Sequence, residues 1–327
     1  MKALITGATG FVGSHLADKL LEKNYDVYCL KRKSSNTRWL KDKNVKYVEG
    51  DLFSNEALSE CISKMDYVFH VAGLVKARTK DEYMKANFES TKNLLEITHR
   101  VNPGLKKFIL ISSLAGTGPA VDEDYVNENS VPHPITSYGF SKMKAEQEVM
   151  SYSDRLRTCI IAPPAVFGPR DTEILIYFQT YCKGLNSIIG FDEKYLSLIY
   201  VEDLVKGIVL AAEKEESVSQ KFFVSMDKAY NWDEIGTVTK NLLQRKAFKI
   251  RLPHSLVFSV GYISEFAMGL FGKAATLNVE KCKDITQLRW TCSNNKIKSM
   301  LGFEADYSLE SGFRKTIDWY KEMKWIK

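Results

Sequence analysis

Residues 2–13 read Lys2-Ala3-Leu4-Ile5-Thr6-Gly7-Ala8-Thr9-Gly10-Phe11-Val12-Gly13. An apolar run that breaks into three glycines at a spacing of three and then opens an amphipathic stretch describes a strand, a tight turn and a helix. Glycine permits the turn and a close approach of backbone to a ligand, and the helix beginning near Phe11 offers unpaired N–H groups and a positive dipole end. Those are the requirements of a pyrophosphate site, so Gly7, Thr9, Gly10, Phe11, Val12 and Gly13 are candidate cofactor contacts. The G-x-x-G-x-x-G spacing is one residue longer at the front than the commoner dinucleotide fingerprint.

Outward from this segment the same rhythm repeats. Strands are expected at 2–6, 26–31, 46–49, 67–71, 107–112 and 158–162, with helices at 11–23, 55–64, 81–101 and 137–153 between them. Alternation of this kind builds an α/β fold, a Rossmann-type doubly wound parallel sheet with helices on both faces. Residues 1–162 form the expected dinucleotide-binding domain. Beyond Pro163 the rhythm becomes irregular, with helical stretches at 202–213, 231–243, 255–271 and 309–322. We expect 163–327 to be a smaller, mixed and mainly substrate-binding lobe whose chain returns once or twice to the sheet.

Composition bounds the rest. The 327 residues are 45% hydrophobic and 26% charged, with 46 Lys and Arg against 40 Asp and Glu, a net charge of +6. This is a globular composition, and the modest positive excess is spread out rather than gathered into a stripe with aromatics, which argues against a nucleic-acid partner. Six scattered cysteines with no C-x-x-C pair and no nearby His at ligand spacing predict reduced thiols, with neither a disulfide framework nor a metal site. The N-terminus lacks a secretory n-region and h-region, so the expected location is cytoplasmic.

Two further segments carry chemistry. About twenty residues past the glycines, where an acid would hold the ribose 2′-hydroxyl of NAD, stands Lys31-Arg32-Lys33-Ser34. Cationic donors there match a 2′-phosphate, so NADP(H) is favoured over NAD(H), with Lys31 and Arg32 as contacts. Tyr138-Gly139-Phe140-Ser141-Lys142 places a phenol and an ammonium four apart on one helix face. An adjacent ammonium favours the phenolate, so Lys142 is expected to lower the Tyr138 pKa toward the working range. The strand ending at Ser112-Ser113 runs to the carboxyl edge of the sheet, which completes a Ser113, Tyr138, Lys142 catalytic set.

At this point the chain resembles a short-chain dehydrogenase/reductase of the extended type, in the NAD-dependent epimerase/dehydratase family. That group contains NDP-sugar epimerases and dehydratases, dihydroflavonol reductases and 3β-hydroxysteroid dehydrogenases. The likeness runs through Thr6 to Gly13, Gly50-Asp51-Leu52, His70-Val71-Ala72-Gly73, Asn87, Ser112-Ser113, Tyr138 with Lys142, and Pro163-Pro164-Ala165-Val166-Phe167-Gly168-Pro169. It implies that Asp51 and Leu52 hold the adenine, that Val71, Ala72 and Gly73 line the middle of the cofactor, and that Pro163 to Val166 touch the nicotinamide. Lys142 would also bind the nicotinamide ribose, and Ser113 rather than Ser112 would carry the serine role. Relatives often pair through helices beside the Tyr138 helix, so a homodimer is expected.

Sugar-nucleotide members usually carry an Asn near the Val-Tyr-Gly and an Arg before an Ile-His-Val-x-Asp-like motif. Here those places read Pro164-Ala165-Val166-Phe167-Gly168 and Leu196 in Tyr195 to Asp203. A diphosphate would lose its amide and charged donors, which points to a reductase or dehydrogenase of an apolar small molecule, sterol-like, flavonoid-like or carbocyclic. The alternatives are an NDP-sugar epimerase or dehydratase with transient hydride transfer, and a non-catalytic NADP(H)-binding sensor or assembly factor. The apolar stretch 255–272 has three readings: a buried helix of the small lobe, which is favoured, a wall or lid over the substrate, or a contact with a membrane surface.

Overall fold

The computed structural model describes residues 1–327 except 272–274 and 276, and the side chain of Leu270. The first half runs β1 (Lys2–Thr6), α1 (Phe11–Glu22), β2 (Asp26–Lys31), β3 (Val45–Glu49), α2 (Asn55–Ile62), β4 (Tyr67–His70), α3 (Lys80–Tyr83), α4 (Ser90–Val101), β5 (Lys107–Ile111), α5 (Ser137–Ser151) and β6 (Thr158–Ala162). There follow β7 (Ala165–Phe167), α6 (Ile174–Cys182), β8 (Leu185–Ile189), β9 (Tyr195–Leu196), β10 (Leu198–Tyr200), α7 (Val201–Glu213), β11 (Gln220–Phe223), β12 (Tyr230–Asn231) and α8 (Trp232–Leu243). The chain closes with β13 (Phe248–Leu252), α9 (His254–Leu270), α10 (Val279–Thr286), β14 (Arg289–Trp290), α11 (Asn295–Leu301) and α12 (Leu309–Glu322).

Seven strands form one parallel sheet in the order β11-β6-β5-β4-β1-β2-β3. β4, β5 and β6 are buried along their whole length, the mark of strands covered on both faces. Alternate residues sort to opposite sides, as a period of two requires: Ile5, Ile109 and Ile161 join the cluster of α1 and α7, whereas Leu4, Leu110 and Ile160 join that of α2, α4 and α5. The sheet is therefore doubly wound. The second half returns to it twice, through α7, which packs on α1, and through β11 at the edge beside β6.

Two expectations need correction. The single helix expected over 81–101 is interrupted by a π-helical segment, Met84–Glu89, whose widened turn holds the side chain of Asn87 inward. The stretch 255–272, favoured as a buried helix, instead lies at the surface: Tyr262, Ile263 and Phe266 are 61%, 69% and 73% exposed. The side facing α10 is covered, where Val257 and Gly261 lie against Cys282. Gly272 of that stretch lies outside the described residues.

Candidate active site

The turn after β1 is closed to side chains. Gly7 sits at φ 73°, and a Cβ there would stand 2.6 Å from the Ala72 nitrogen; a Cβ on Gly13 would stand 2.2 Å from the Gly7 carbonyl oxygen. Gly10 is the N-cap of α1, with no side-chain cap and no acid in the first turn, so the amides of Phe11, Val12 and Gly13 have no side-chain acceptor. A backbone cradle of this kind, glycine by necessity and open at a helix N-terminus, fits a dinucleotide pyrophosphate. Thr9 lies in the same turn.

Ala72 and Gly73 approach from the end of β4 and are held from below. The Thr6 hydroxyl accepts the Ala72 N–H at 3.2 Å and bonds His70 Nδ1 at 2.7 Å, while His70 Nε2 meets Thr91 Oγ1 at 3.0 Å. Thr91 in turn donates to the Asn87 carbonyl at 2.6 Å. All four bonds are satisfied when Thr6 donates to Nδ1 and Nε2–H donates to Thr91, so the imidazole is neutral. Burial, with the positive Lys142 nearby, pushes its pKa down to about 3. Asn87 Oδ1 accepts the Leu74 N–H at 2.7 Å, and its Nδ2 donates to Ser141 Oγ at 2.9 Å, which ties the 71–74 loop to α5. A Cβ on Gly73 would lie 3.3 Å from Asn87 Oδ1 and 3.7 Å from Lys142 Nζ, so this backbone passes directly over the lysine.

Ser113 follows β5 and caps a short turn, its Oγ accepting the Ala115 N–H at 3.2 Å. Thr136 caps α5 through the Gly139 N–H at 3.0 Å, and a Cβ on Gly139 would stand 2.3 Å from the Ala115 carbonyl oxygen. That close approach seats the first turn of α5 on the 113–116 turn and places Tyr138 beside Ser113. Ser112 faces elsewhere: it donates to Glu146 Oε1, while Glu146 Oε2 receives Lys221 Nζ at 2.7 Å. The two adjacent serines thus have distinct partners. Pro163 and Val166 follow β6, and the Pro163 carbonyl accepts the Leu114 N–H at 2.8 Å, so this segment borders the serine turn.

The electrostatics differ from expectation. Burial pushes the Tyr138 phenol up to about 12, with Asp284, Tyr83 and Glu146 adding to the rise and the neighbouring Ser113 hydroxyl opposing it. Lys142 is buried and donates to the Ile111 carbonyl at 2.7 Å. Burial pushes its ammonium down to about 8, partly opposed by Glu146. Spacing places Tyr138 and Lys142 on one face, but desolvation and the carboxylates around the phenol outweigh the ammonium.

At the outer end of the cradle, Lys31 Nζ lies 3.8 Å from Glu49 Oε2 and Lys33 Nζ lies 3.6 Å from Glu49 Oε1. Arg32 is exposed; its main-chain N–H donates to Ser35 Oγ at 3.0 Å, and its guanidinium has no protein partner among the described residues. Asp51 Oδ1 holds the Phe53 N–H at 2.8 Å, which orders the turn that presents Leu52. Sequence reasoning assigned no role to His70, Asn87, Glu146 or Glu280; the last accepts from Ser137 N at 2.9 Å and Ser137 Oγ at 2.6 Å, one residue before Tyr138. Among the described residues no cluster of His, Cys, Asp and Glu is arranged to hold a metal, and all six cysteines are free thiols.

A parallel Rossmann-type sheet with a glycine cradle at the carboxyl ends of its strands, and a tyrosine and lysine on the helix beside it, defines an NAD(P)-dependent oxidoreductase of the short-chain type. The chain belongs to the NAD dependent epimerase/dehydratase family, whose model matches residues 3–225. It is 29% identical over 345 residues to a decarboxylating sterol-4-alpha-carboxylate 3-dehydrogenase of Candida albicans, covering 98% of this chain and 97% of that one. It is 27% identical over 322 residues to a ceramide reductase of Caulobacter vibrioides, covering 98% of this chain and 95% of that one. Its fold matches that of UDP-glucose 4-epimerase from Thermotoga maritima with a TM-score of 0.81 at 24% identity, over 99% of this chain and 100% of the other.

Proposed function

We propose that this protein interconverts a ketone and a secondary alcohol on a lipid-like, apolar substrate, using NADP(H). The observation that carries the chemistry is the seating of Tyr138 beside the Ser113 turn at the carboxyl edge of the sheet, enforced by the close approach of Gly139 to Ala115, with buried Lys142 one helical turn away. In the reductive direction the bound nicotinamide supplies hydride to the carbonyl carbon. Tyr138 gives its proton to the oxygen, and Ser113 donates a hydrogen bond to that same oxygen as negative charge develops. A phenol raised to about 12 is fully protonated at neutral pH, which suits a proton donor, and an alkoxide is a strong enough base to take that proton. Lys142, the glycine turn and Ala72-Gly73 hold the cofactor.

The lipid class is supported by the sterol dehydrogenase and ceramide reductase likenesses, both nearly full length. The preference for NADP(H) is supported by Arg32, whose guanidinium is unpaired and exposed where a 2′-phosphate would lie. Lys31 contributes less than its position suggests, because Glu49 already faces it. The test is consumption of NADPH by the purified protein against sterol and long-chain ketones, run beside UDP- and dTDP-sugars. We expect stoichiometric oxidation with a lipid ketone, lost by several orders of magnitude in Tyr138→Phe with NADPH affinity kept. Conversion of a nucleotide sugar without net consumption would replace this reading with the epimerase one.

A further inference from the structure

Helix α9 is amphipathic in the inverted sense. At about 100° per residue, Leu256, Val260, Tyr262, Ile263 and Phe266 fall within a sector of about 160°. All five are exposed, and the sector also carries Ser255, Ser259 and Ala267. The opposite side is closed against α10 by Val257 and Gly261, with the Val279 N–H donating to Glu265 Oε2 at 3.0 Å. The apolar exposure extends beyond the helix: Phe191, which follows the Gly190 contact with His254 at its start, is 68% exposed. A concavity of about 520 Å³ opens between α9 and α10, lined by Tyr262, Glu265, Phe266, Gly269 and Val279. A contiguous apolar surface of this kind is rare on a protein that meets only water.

The charges beside it select the occupant. Residues 245–271 contain Arg245, Lys246, Lys249 and Arg251 against the single carboxylate Glu265; Asp233 of α8 pairs with Lys249 and Arg251, which leaves the exposed Arg245 and Lys246 as the positive excess. A twofold contact between copies would set this positive surface against itself, because an isologous interface repeats the same patch. An anionic bilayer complements both halves: its headgroups attract the cations, and its acyl boundary accepts the isoleucine and phenylalanine. Among the described residues no helix is long and apolar enough to cross a membrane, so the contact is one of lying on the surface.

We propose that α9, with the 245–251 segment leading into it, docks the protein onto anionic lipid bilayers. The placement has a consequence for the site. α10, packed on α9, sends Glu280 to the N-terminus of the catalytic helix at Ser137, and Asp284 contributes to the field on Tyr138. The docked face is therefore one helix layer from the reacting groups.

Flotation with vesicles of phosphatidylcholine containing phosphatidylglycerol, and with phosphatidylcholine alone, tests this. We expect binding to the anionic vesicles that falls at least tenfold in Ile263→Glu/Phe266→Glu and several-fold in Arg245→Glu/Lys246→Glu. NADPH binding should be retained in each. Phe266→Trp should report insertion as a blue shift of emission on anionic vesicles even if the charged variants fold poorly. Absence of wild-type flotation and of the blue shift overturns the proposal. So does a wild-type dimer that the Ile263→Glu/Phe266→Glu change splits while flotation is unaltered, for then the face belongs to a second copy. The outcome is independent of which substrate is turned over.

Discussion

Lowering the pH from 7 to 5 should destabilise this protein through His70, by an amount the structure sets. The folded imidazole is neutral, with its pKa pushed from 6.5 to about 3 by burial, whereas in the unfolded chain it protonates normally. Between those values the unfolded state binds one more proton than the folded state, so stability falls as pH falls, by about 1.4 kcal/mol per pH unit. At pH 5 the His70 contribution is a loss of about 2 kcal/mol relative to neutral pH. His15, pushed down to about 4 by burial and by Arg170, adds a slope of its own, so the wild-type curve alone does not isolate His70. Urea unfolding of wild type and His70→Gln at pH 7, 6 and 5 does. The variant should be weaker at pH 7, having disturbed the bonds to Thr6 and Thr91, and the gap should narrow by about 2 kcal/mol by pH 5. A gap that stays constant with pH would show that the imidazole titrates inside the fold, and the neutral Thr6–His70–Thr91 chain would be wrong.

Four further outcomes follow from the site. Gly13→Ala should abolish binding of either dinucleotide, measured by fluorescence titration, because its Cβ would stand 2.2 Å from the Gly7 carbonyl oxygen. Arg32→Glu should weaken NADPH by about 10–100-fold, the worth of one charge-assisted contact, while changing NADH little; equal losses would show that Arg32 does not meet the phosphate. Ser113→Ala should lower kcat by about 10²-fold with the melting temperature kept. Ser112→Ala should do the reverse, destabilising the fold by about 1–3 kcal/mol as buried Glu146 loses its donor while turnover changes little; exchanged phenotypes would transfer the role to Ser112.

How far the sequence could be read depended on whether a feature is local. The β1, glycine turn and α1 unit is contained in residues 2–22, and each part has a short-range cause: a short apolar run, a φ of 73° at Gly7, an uncapped helix start. The same holds for α5, where Thr136 caps the helix and Gly139 allows its approach to the serine turn. Asn87 lies in a stretch whose spacing suits an ordinary helix, and its inward turn comes from a π-helical segment closed by bonds to Leu74 and Ser141, 13 and 54 residues away. Likewise α9 is apolar on most of its sides, a pattern that predicts burial only when other elements exist to cover it. The chain supplies α10 for one side, and the described residues supply nothing for the sector of Ile263 and Phe266.

The Tyr138 pKa shows why spacing alone gave the wrong sign. A lysine four residues on is a local feature, and it suggests a lowered phenol. Burial is the main cause of the rise, and the groups that add to it come from elsewhere: Asp284 from α10, nearly 150 residues downstream, Tyr83 from the helix after β4, and Glu146 two turns further along α5. Lys142 meanwhile spans to the Ile111 carbonyl at the end of β5. The part of the chain least legible as sequence, the α9–α10 pair, therefore reaches the reacting phenol in two ways, by Glu280 at the start of its helix and by the charge of Asp284. A surface bound at α9 would therefore be two contacts from the phenol, through the packing of α10 on α9 and the hydrogen bonds of Glu280 to Ser137.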